Sequence, residues 1–180
     1  MRIISGRNKG RNILAPANLP VRPTTDMAKE SLFNILGNHI IFSEISALDL
    51  FTGTGNIAYE LVSRGCKQVT AIDSDFRCIR FVRQVMEKLG YNEIIPVQTD
   101  YAAFLSRATN RWDLIFADPP YSMNDIERIP ALVWEKGLLN NRGWLVIEHD
   151  KYHDFSNLNG FFDHRKYGRV NFSFFTRQEL

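Results

Sequence analysis

The sequence predicts an open α/β sheet, mostly parallel, with an antiparallel element at its carboxyl end. Three observations carry that expectation. From Ser46 onward short apolar runs alternate with segments of helical period, a glycine turn joins the first such run to the first such helix, and the last two strand-like runs have no helix between them. Strands that alternate with helices pair in parallel and are covered on both faces. Runs joined by a tight turn pair antiparallel.

Taken in order, "RIISGRNKGRNILA" reads as two short strands around a Gly-bounded turn, a β-hairpin. "APANLPVRPTTD" is a loop stiffened by Pro16, Pro20 and Pro23. Thr25 or Asp26 can cap the helix that follows, because a short side-chain oxygen satisfies free amides at a helix start. In that helix Ala28, Leu32, Ile35 and Leu36 share one face, and Gly37 is placed to end it. "SALDLF" is the first core strand, and "TGTGNIAYELVSRG" is a glycine turn running into a helix. "QVTAID" follows as a strand. "FRCIRFVRQVMEKLG" sets Phe76, Ile79, Val82, Val85, Met86 and Leu89 on a helical stripe with Arg77, Arg80 and Arg83 outside it. Next come a strand "EIIPVQTD", a short helix "YAAFLSRA" and a strand "WDLIFAD". "DIERIPALVWEKGLL" is helical, with Pro130 either kinking it or setting its start. "GWLVIEH" is a further strand, and "FFDHRKYG" and "VNFSFFTR" pair around Gly168.

The 180 residues fit one domain, with residues 1–25 as a basic hairpin and loop extension and 26–180 as the α/β core. Apolar residues at 44% and charged residues at 23% exclude a disordered chain. No apolar run approaches the ~20 residues of a membrane span. The basic start lacks a following apolar segment, so no secretory signal is expected. Cys66 and Cys78 make neither a disulfide framework nor a metal site and read as buried free thiols. A cytoplasmic monomer without metal or membrane attachment is the expectation.

Net charge is only +2, but its distribution is uneven. Met1 to Thr25 carries Arg2, Arg7, Lys9, Arg11 and Arg22 with no acid, and "DHRKYGRVNFSFFTR" interleaves cations with aromatics. Both patterns suit a nucleic-acid surface, and equally a solvated basic face.

Four acids fall at the ends of expected strands: Asp49, Asp73, Asp100 and Asp118. In a parallel sheet they line the carboxyl edge, where such sheets bind ligands. Gly53 and Gly55 let the backbone approach a ligand closely. The dinucleotide fingerprint is incomplete, since Ala58 holds its last glycine position. Ala is tolerated there, so a nicotinamide-dependent oxidoreductase stays open at this point. Asp49 argues against it, because a carboxylate repels a pyrophosphate and suits a cation. Asp73, at the end of the second core strand, can bind ribose hydroxyls. A nucleoside with a cationic amino-acid tail, such as S-adenosylmethionine, fits both acids.

"IFADPPYSMND" ends an apolar run on Asp118-Pro119-Pro120-Tyr121. Each proline confines the residue before it to extended geometry. The corner can hold a planar ring and its exocyclic amine, with Tyr121 as a stacking face. Glu148 and His149 end the next strand near the same edge, and His149 reads as a structural histidine.

"DLFTGTG", "AIDSD", "QTD" and "DPPY", in that order, resemble the class I S-adenosylmethionine-dependent methyltransferases, whose fold is Rossmann-like. More narrowly, "RIISGRNKGRNILAP", "VRPTTDMAKESLFNIL", "LDLFTGTGNIAYELVSRG" and "FADPPY" resemble the RsmD family, bacterial enzymes that methylate the N2 amine of a guanine in 16S ribosomal RNA. The resemblance implies that Asp49, Phe51, Gly53, Gly55 and Asn56 meet the methionine and ribose part of the cofactor. It implies Asp73 and Ser74 at the ribose, and Asp100 and Tyr101 at the adenine. Asp118, Pro119, Pro120 and Tyr121 would hold the target base. Lys9, Arg11 and Arg22 would grip RNA phosphates, and Thr24 and Thr25 would either meet substrate or only cap the helix. DPPY also occurs in adenine-N6 methyltransferases of DNA and RNA, so an amine methyltransferase on another acceptor is the alternative.

Overall fold

The computed structural model describes residues 1–17, 19 and 25–177. Arg22 and Thr24 therefore lie outside the described residues. The core elements follow the expected order: α1 (Asp26–Gly37), β1 (Ser46–Leu50), α2 (Asn56–Ser63), β2 (Gln68–Asp73), α3 (Phe76–Leu89), β3 (Ile94–Gln98), α4 (Tyr101–Arg107), β4 (Trp112–Ala117), α5 (Arg128–Glu135), β5 (Leu139–His149), β6 (Phe161–Tyr167) and β7 (Val170–Thr176). The strands form one sheet in the order β3-β2-β1-β4-β5-β7-β6. The first five run parallel, and β7 enters antiparallel between β5 and β6.

Two apolar layers sandwich the sheet. One is built from Ala28, Leu32 and Phe33 of α1, Ile57 and Leu61 of α2, and Val82 of α3 against Ala47, Leu114, Phe116 and Val146. The other packs Leu105 of α4 and Ile129 and Val133 of α5 against Leu48, Ile115, Leu145 and Ile147. Successive strand residues alternate between the layers, as a period of two requires.

Local signals mostly hold. Thr25 caps α1, its hydroxyl oxygen accepting the Ala28 N–H at 3.3 Å. Pro130 sits in the first turn of α5, where a missing N–H costs nothing, so it sets the start of the helix, later than the sequence pattern suggested. Three expectations need correction. The amino-terminal hairpin has a single bridge, Arg2 with Asn12, instead of two strands. Phe76 is exposed, because it opens α3 at the sheet edge before the helix reaches the core. β5 begins at Leu139, ahead of Gly143, with a register shift opposite Trp112–Leu114.

The hairpin is held by side chains in place of a ladder. Glu60 of α2, fully buried, accepts the N–H groups of Ile4 and Ser5 at 2.8 and 3.0 Å and pairs with Arg64 Nε at 2.8 Å. Lys29 of α1, equally buried, donates to the Arg2 carbonyl at 2.6 Å and to Asn56 Oδ1 at 2.7 Å, 3.7 Å from Glu60. The hairpin turn rests on the far end of α2: Arg7 N–H donates to the Ser63 carbonyl at 2.8 Å. Gly6, at φ +83°, has no room for a side chain, since a Cβ would lie 1.8 Å from the Ser63 carbonyl oxygen.

Removing one member of a buried ion pair strands the other, at a cost of about 3–5 kcal/mol. Glu60→Ala should lower unfolding stability by that order in urea titrations, whereas the exposed pair Arg128–Asp125 should tolerate Asp125→Ala with less than about 1 kcal/mol lost.

Candidate active site

The strand order sets the four sequence-predicted acids in the spatial sequence Asp100, Asp73, Asp49, Asp118 along the carboxyl edge. Glu148 on β5 extends the row, because Ile147 pairs with Ala117 one step earlier. Strand alternation turns Asp49, Asp118 and Glu148 toward the layer that holds α1 and α2. Asp49 and Glu148 are buried, and Asp118 is partly so.

Backbone geometry at the glycine turn follows from close packing. Phe51 has φ 63°, a left-handed conformation that a bulky residue adopts only when its surroundings impose it. The next amide, Thr52 N–H, is tied to the Ile72 carbonyl at 2.8 Å. Gly53 and Gly55 also have positive φ. A Cβ on Gly55 would sit 2.4 Å from the Tyr59 ring, so glycine is required. The Tyr59 hydroxyl, deeply buried beside that turn, has no hydrogen-bond partner among the described residues.

The acids divide by what satisfies them. Asp73 takes the Gly53 N–H on Oδ2 and the Asp75 N–H on Oδ1, both at 2.9 Å, so each oxygen keeps a lone pair for a further donor. Burial nevertheless holds its carboxyl above the usual range, against those two bonds. Asp100 caps α4, with Oδ1 accepting the N–H groups of Ala102 and Ala103 at 2.9 and 3.0 Å and Oδ2 outside the cap. Between them lies a small cleft lined by Phe51, Ile72, Asp73, Ser74, Thr99, Asp100 and Tyr101. The Phe51 and Tyr101 rings line it packed against each other, with centroids 5.0 Å apart. Hydroxyl acceptors, an amine acceptor and flat apolar walls are what a nucleoside needs, so these residues fit an adenosyl group.

Asp49 is different. Thr52 Oγ1–H donates to its Oδ2 at 2.7 Å. Burial pushes the carboxyl up to about 7, opposed by that bond and assisted by the Asp73 charge. Asp118 is held well above the usual carboxylate range by burial, then by Glu148 and Asp49. A cation placed beside these groups would relieve their repulsion, which fits an ammonium or sulfonium and not a pyrophosphate.

Asp118 N–H reaches the Leu50 carbonyl at 3.5 Å, and Met123 N–H donates to the Pro120 carbonyl at 2.9 Å, closing the corner. Pro119 is buried, Pro120 is exposed, and Tyr121 is 64% exposed. His149 has both ring nitrogens engaged, with the Asp150 carbonyl at 2.7 Å and Ser173 Oγ at 2.8 Å. Burial lowers its basicity, and the structural reading of it holds.

Of the remaining residues, Asn56 stands at this edge as the first residue of α2, and Lys9 lies apart from it. Asn56 Oδ1 is committed to Lys29 behind the glycine turn. Lys9 belongs to the hairpin turn that rests on Ser63, the far end of α2, about 12 Å along the helix from the glycine turn. Arg11 is exposed along the hairpin, opposite Ile3. A larger hollow, about 310 Å³, opens between Trp134, Leu139 and Thr176 at the opposite, amino edge of the sheet, away from all the acids. Sequence reasoning assigned no role to Lys29, Glu60 or Glu148. Lys29 had left a signal: at helical spacing it falls between Phe33 and Leu36 on the apolar side of α1.

A family model described as Conserved hypothetical protein 95 matches residues 1–176. The chain belongs to that family. Similar proteins include the Bacillus subtilis protein provisionally named rRNA methyltransferase YlbH, 37% identical over 84% of this chain and 83% of the relative. Ribosomal RNA small subunit methyltransferase D of Haemophilus influenzae is 30% identical over 84% of this chain and 79% of its own length. A solved structure provisionally named methyltransferase yhhF, from Escherichia coli, superposes with a TM-score of 0.87 at 24% identity, covering 100% of this chain and 99% of that one. The fold of this member of the Conserved hypothetical protein 95 family is the class I, S-adenosylmethionine-dependent methyltransferase fold, as the sequence led one to expect.

Raised carboxyls give a pH test of the site. Between 3.8 and about 7 folded Asp49 keeps a proton that the unfolded chain has released. Stability therefore falls as pH rises through this window. Asp49→Asn should flatten that fall, read as a smaller difference between urea midpoints at about pH 5 and about pH 8.

Proposed function

We propose that the chain transfers the methyl group of S-adenosylmethionine to the exocyclic N2 amine of a guanine in small-subunit ribosomal RNA. The observation that carries this reading is the Asp118-Pro119-Pro120-Tyr121 corner, set beside Asp49 on the carboxyl edge of the sheet. The names of its relatives support RNA as substrate. When bound, the cofactor supplies an electrophilic methyl group on a sulfonium cation.

Asp73 would hold the ribose hydroxyls on its two remaining lone pairs, Asp100 the adenine amine, and Asp49 the ammonium of the methionine part. Phe51 and Tyr101 would wall the adenine. Each of these residues binds and orients. Tyr121 then offers its exposed face to a base taken out of its stack.

A guanine amine is a poor nucleophile because its lone pair is delocalised into the ring. Asp118 and the Pro119 carbonyl each accept one of its hydrogens, so the nitrogen can pyramidalise and present that lone pair. This is orientation and electrostatic preorganisation, with no covalent enzyme intermediate. The proline pair keeps both acceptors in extended geometry. Asp118, whose carboxyl sits high beside Glu148, is also suited to take up the proton that the amine loses.

Transfer of labelled methyl to small-subunit particles lacking the modification, followed by mass-spectrometric mapping, tests the reading; label on adenine N6, or on no RNA base, would reject it. Asp118→Ala should cut transfer by about 100-fold or more while calorimetric cofactor affinity stays near that of the unaltered chain. Retained full transfer would remove Asp118 from the proposed role.

A further inference from the structure

The carboxyl edge carries a second exposed aromatic and a set of cations that the base-holding corner does not use. β5 lies in parallel beside β4, so the loop after His149 opens next to the loop that bears Tyr121. In that neighbouring loop Tyr152 is 80% exposed. Asp150 accepts the Tyr152 N–H at 2.8 Å and meets His153 Nδ1 at 2.8 Å, while its carbonyl meets His149. Phe155 then anchors the chain in the core. Lys151 Nζ stands 5.0 Å from the Tyr152 ring centre.

β7 brings more charge to the same place. Asn171 pairs with His149, so the turn from β6 into β7 reaches the carboxyl edge. Lys166, near the end of β6, and Arg169, in the turn itself, are both exposed. Nearby acids are engaged: Asp163 with Arg165 at 2.8 Å, Asp154 with the Ser156 N–H, and Asp150 as described. None of the ion pairs among the described residues uses Lys151, Lys166 or Arg169.

We propose that Tyr152, with Lys151, Lys166 and Arg169, forms a second nucleotide subsite that stacks a base flanking the target and holds the adjoining phosphates of a single-stranded RNA segment. The inference rests on RNA being the substrate. Extruding the target base leaves its neighbour without a stacking partner, and a flat ring on the adjacent loop replaces that partner whatever the base. Cations on the next turn neutralise phosphates without reading sequence. The amino-terminal hairpin turn, which carries Lys9, rests on the opposite end of α2 and does not reach this loop.

The test uses fluorescence anisotropy with a short fluorescein-labelled single-stranded RNA, together with steady-state methyl transfer to protein-free small-subunit RNA. Tyr152→Ala should weaken RNA affinity and raise KM by about tenfold with kcat held within about twofold, and Tyr152→Phe should restore both. Its thermal midpoint should match that of the unaltered chain, because the ring contributes little buried surface. Lys166→Gln with Arg169→Gln should make the logarithmic salt dependence of RNA binding shallower by about 1.4. Unchanged affinity and KM in Tyr152→Ala, with RNA methylation proceeding, would overturn this subsite alone; so would a fall in kcat at unchanged affinity. Failure of the unaltered chain to bind the RNA at all would overturn the RNA reading with it.

Discussion

Two buried charges, Lys29 and Glu60, hold the front of this molecule together. Neither can be removed from water without partners, since an unpaired buried ion costs several kcal/mol. Glu60 finds them in the backbone of Ile4 and Ser5 and in Arg64, and Lys29 finds them in the Arg2 carbonyl and Asn56. Every bond in that set crosses between elements distant in sequence or stiffens the helix that receives them. The hairpin consequently needs almost no ladder of its own, which explains its single bridge. Asn56 is the first residue of α2, directly after Gly55, so the same network backs the glycine turn between β1 and α2.

At the carboxyl edge the balance is opposite, because like charges are gathered there. Asp73 and Asp100 each accept backbone N–H groups, and burial still raises the Asp73 carboxyl. Asp49 and Asp118 lie deeper, and burial dominates both. Concentrating acids in this way destabilises the unliganded fold when they ionise. A cationic ligand beside them would recover that energy, so the same crowding that weakens the free protein would strengthen its binding. Such opposition between stability and function is common at sites built for charged ligands.

Much of this is legible in the order of the amino acids alone. The strand-and-helix alternation specifies the sheet, and strand-end position exposes the four aspartates, because both depend on local period. Lys29 and Glu60 are not legible as a pair. A charged residue on a helix usually faces water, and their burial depends on contacts with Arg2, Ile4 and Ser5 far away in sequence. Phe76 misleads in the other direction: its spacing matches the apolar stripe, but the first turn of α3 projects past the sheet. Lys9 and Lys166 are both cations in basic runs, and charge counting cannot rank them. Only the docking of the hairpin on Ser63 and the register of β7 against β5 send one away from the acids and bring the other toward them.

That register explains the antiparallel course of β6 and β7. After β5 the polypeptide crosses from the carboxyl edge to the amino edge, where Gly160 packs so tightly on Trp134 and the Thr176 carbonyl that a Cβ would lie within 2.8 Å of each. β6 then runs back up and β7 descends beside β5. A helical crossover into another parallel strand would have left helix ends at that corner of the carboxyl edge. The antiparallel insertion instead returns a tight turn to it, with its side chains splayed to both faces. A loop fixed by Asp150 and a turn fixed by the sheet are rigid supports, so a ligand meeting the side chains on them would not have to order the backbone as well.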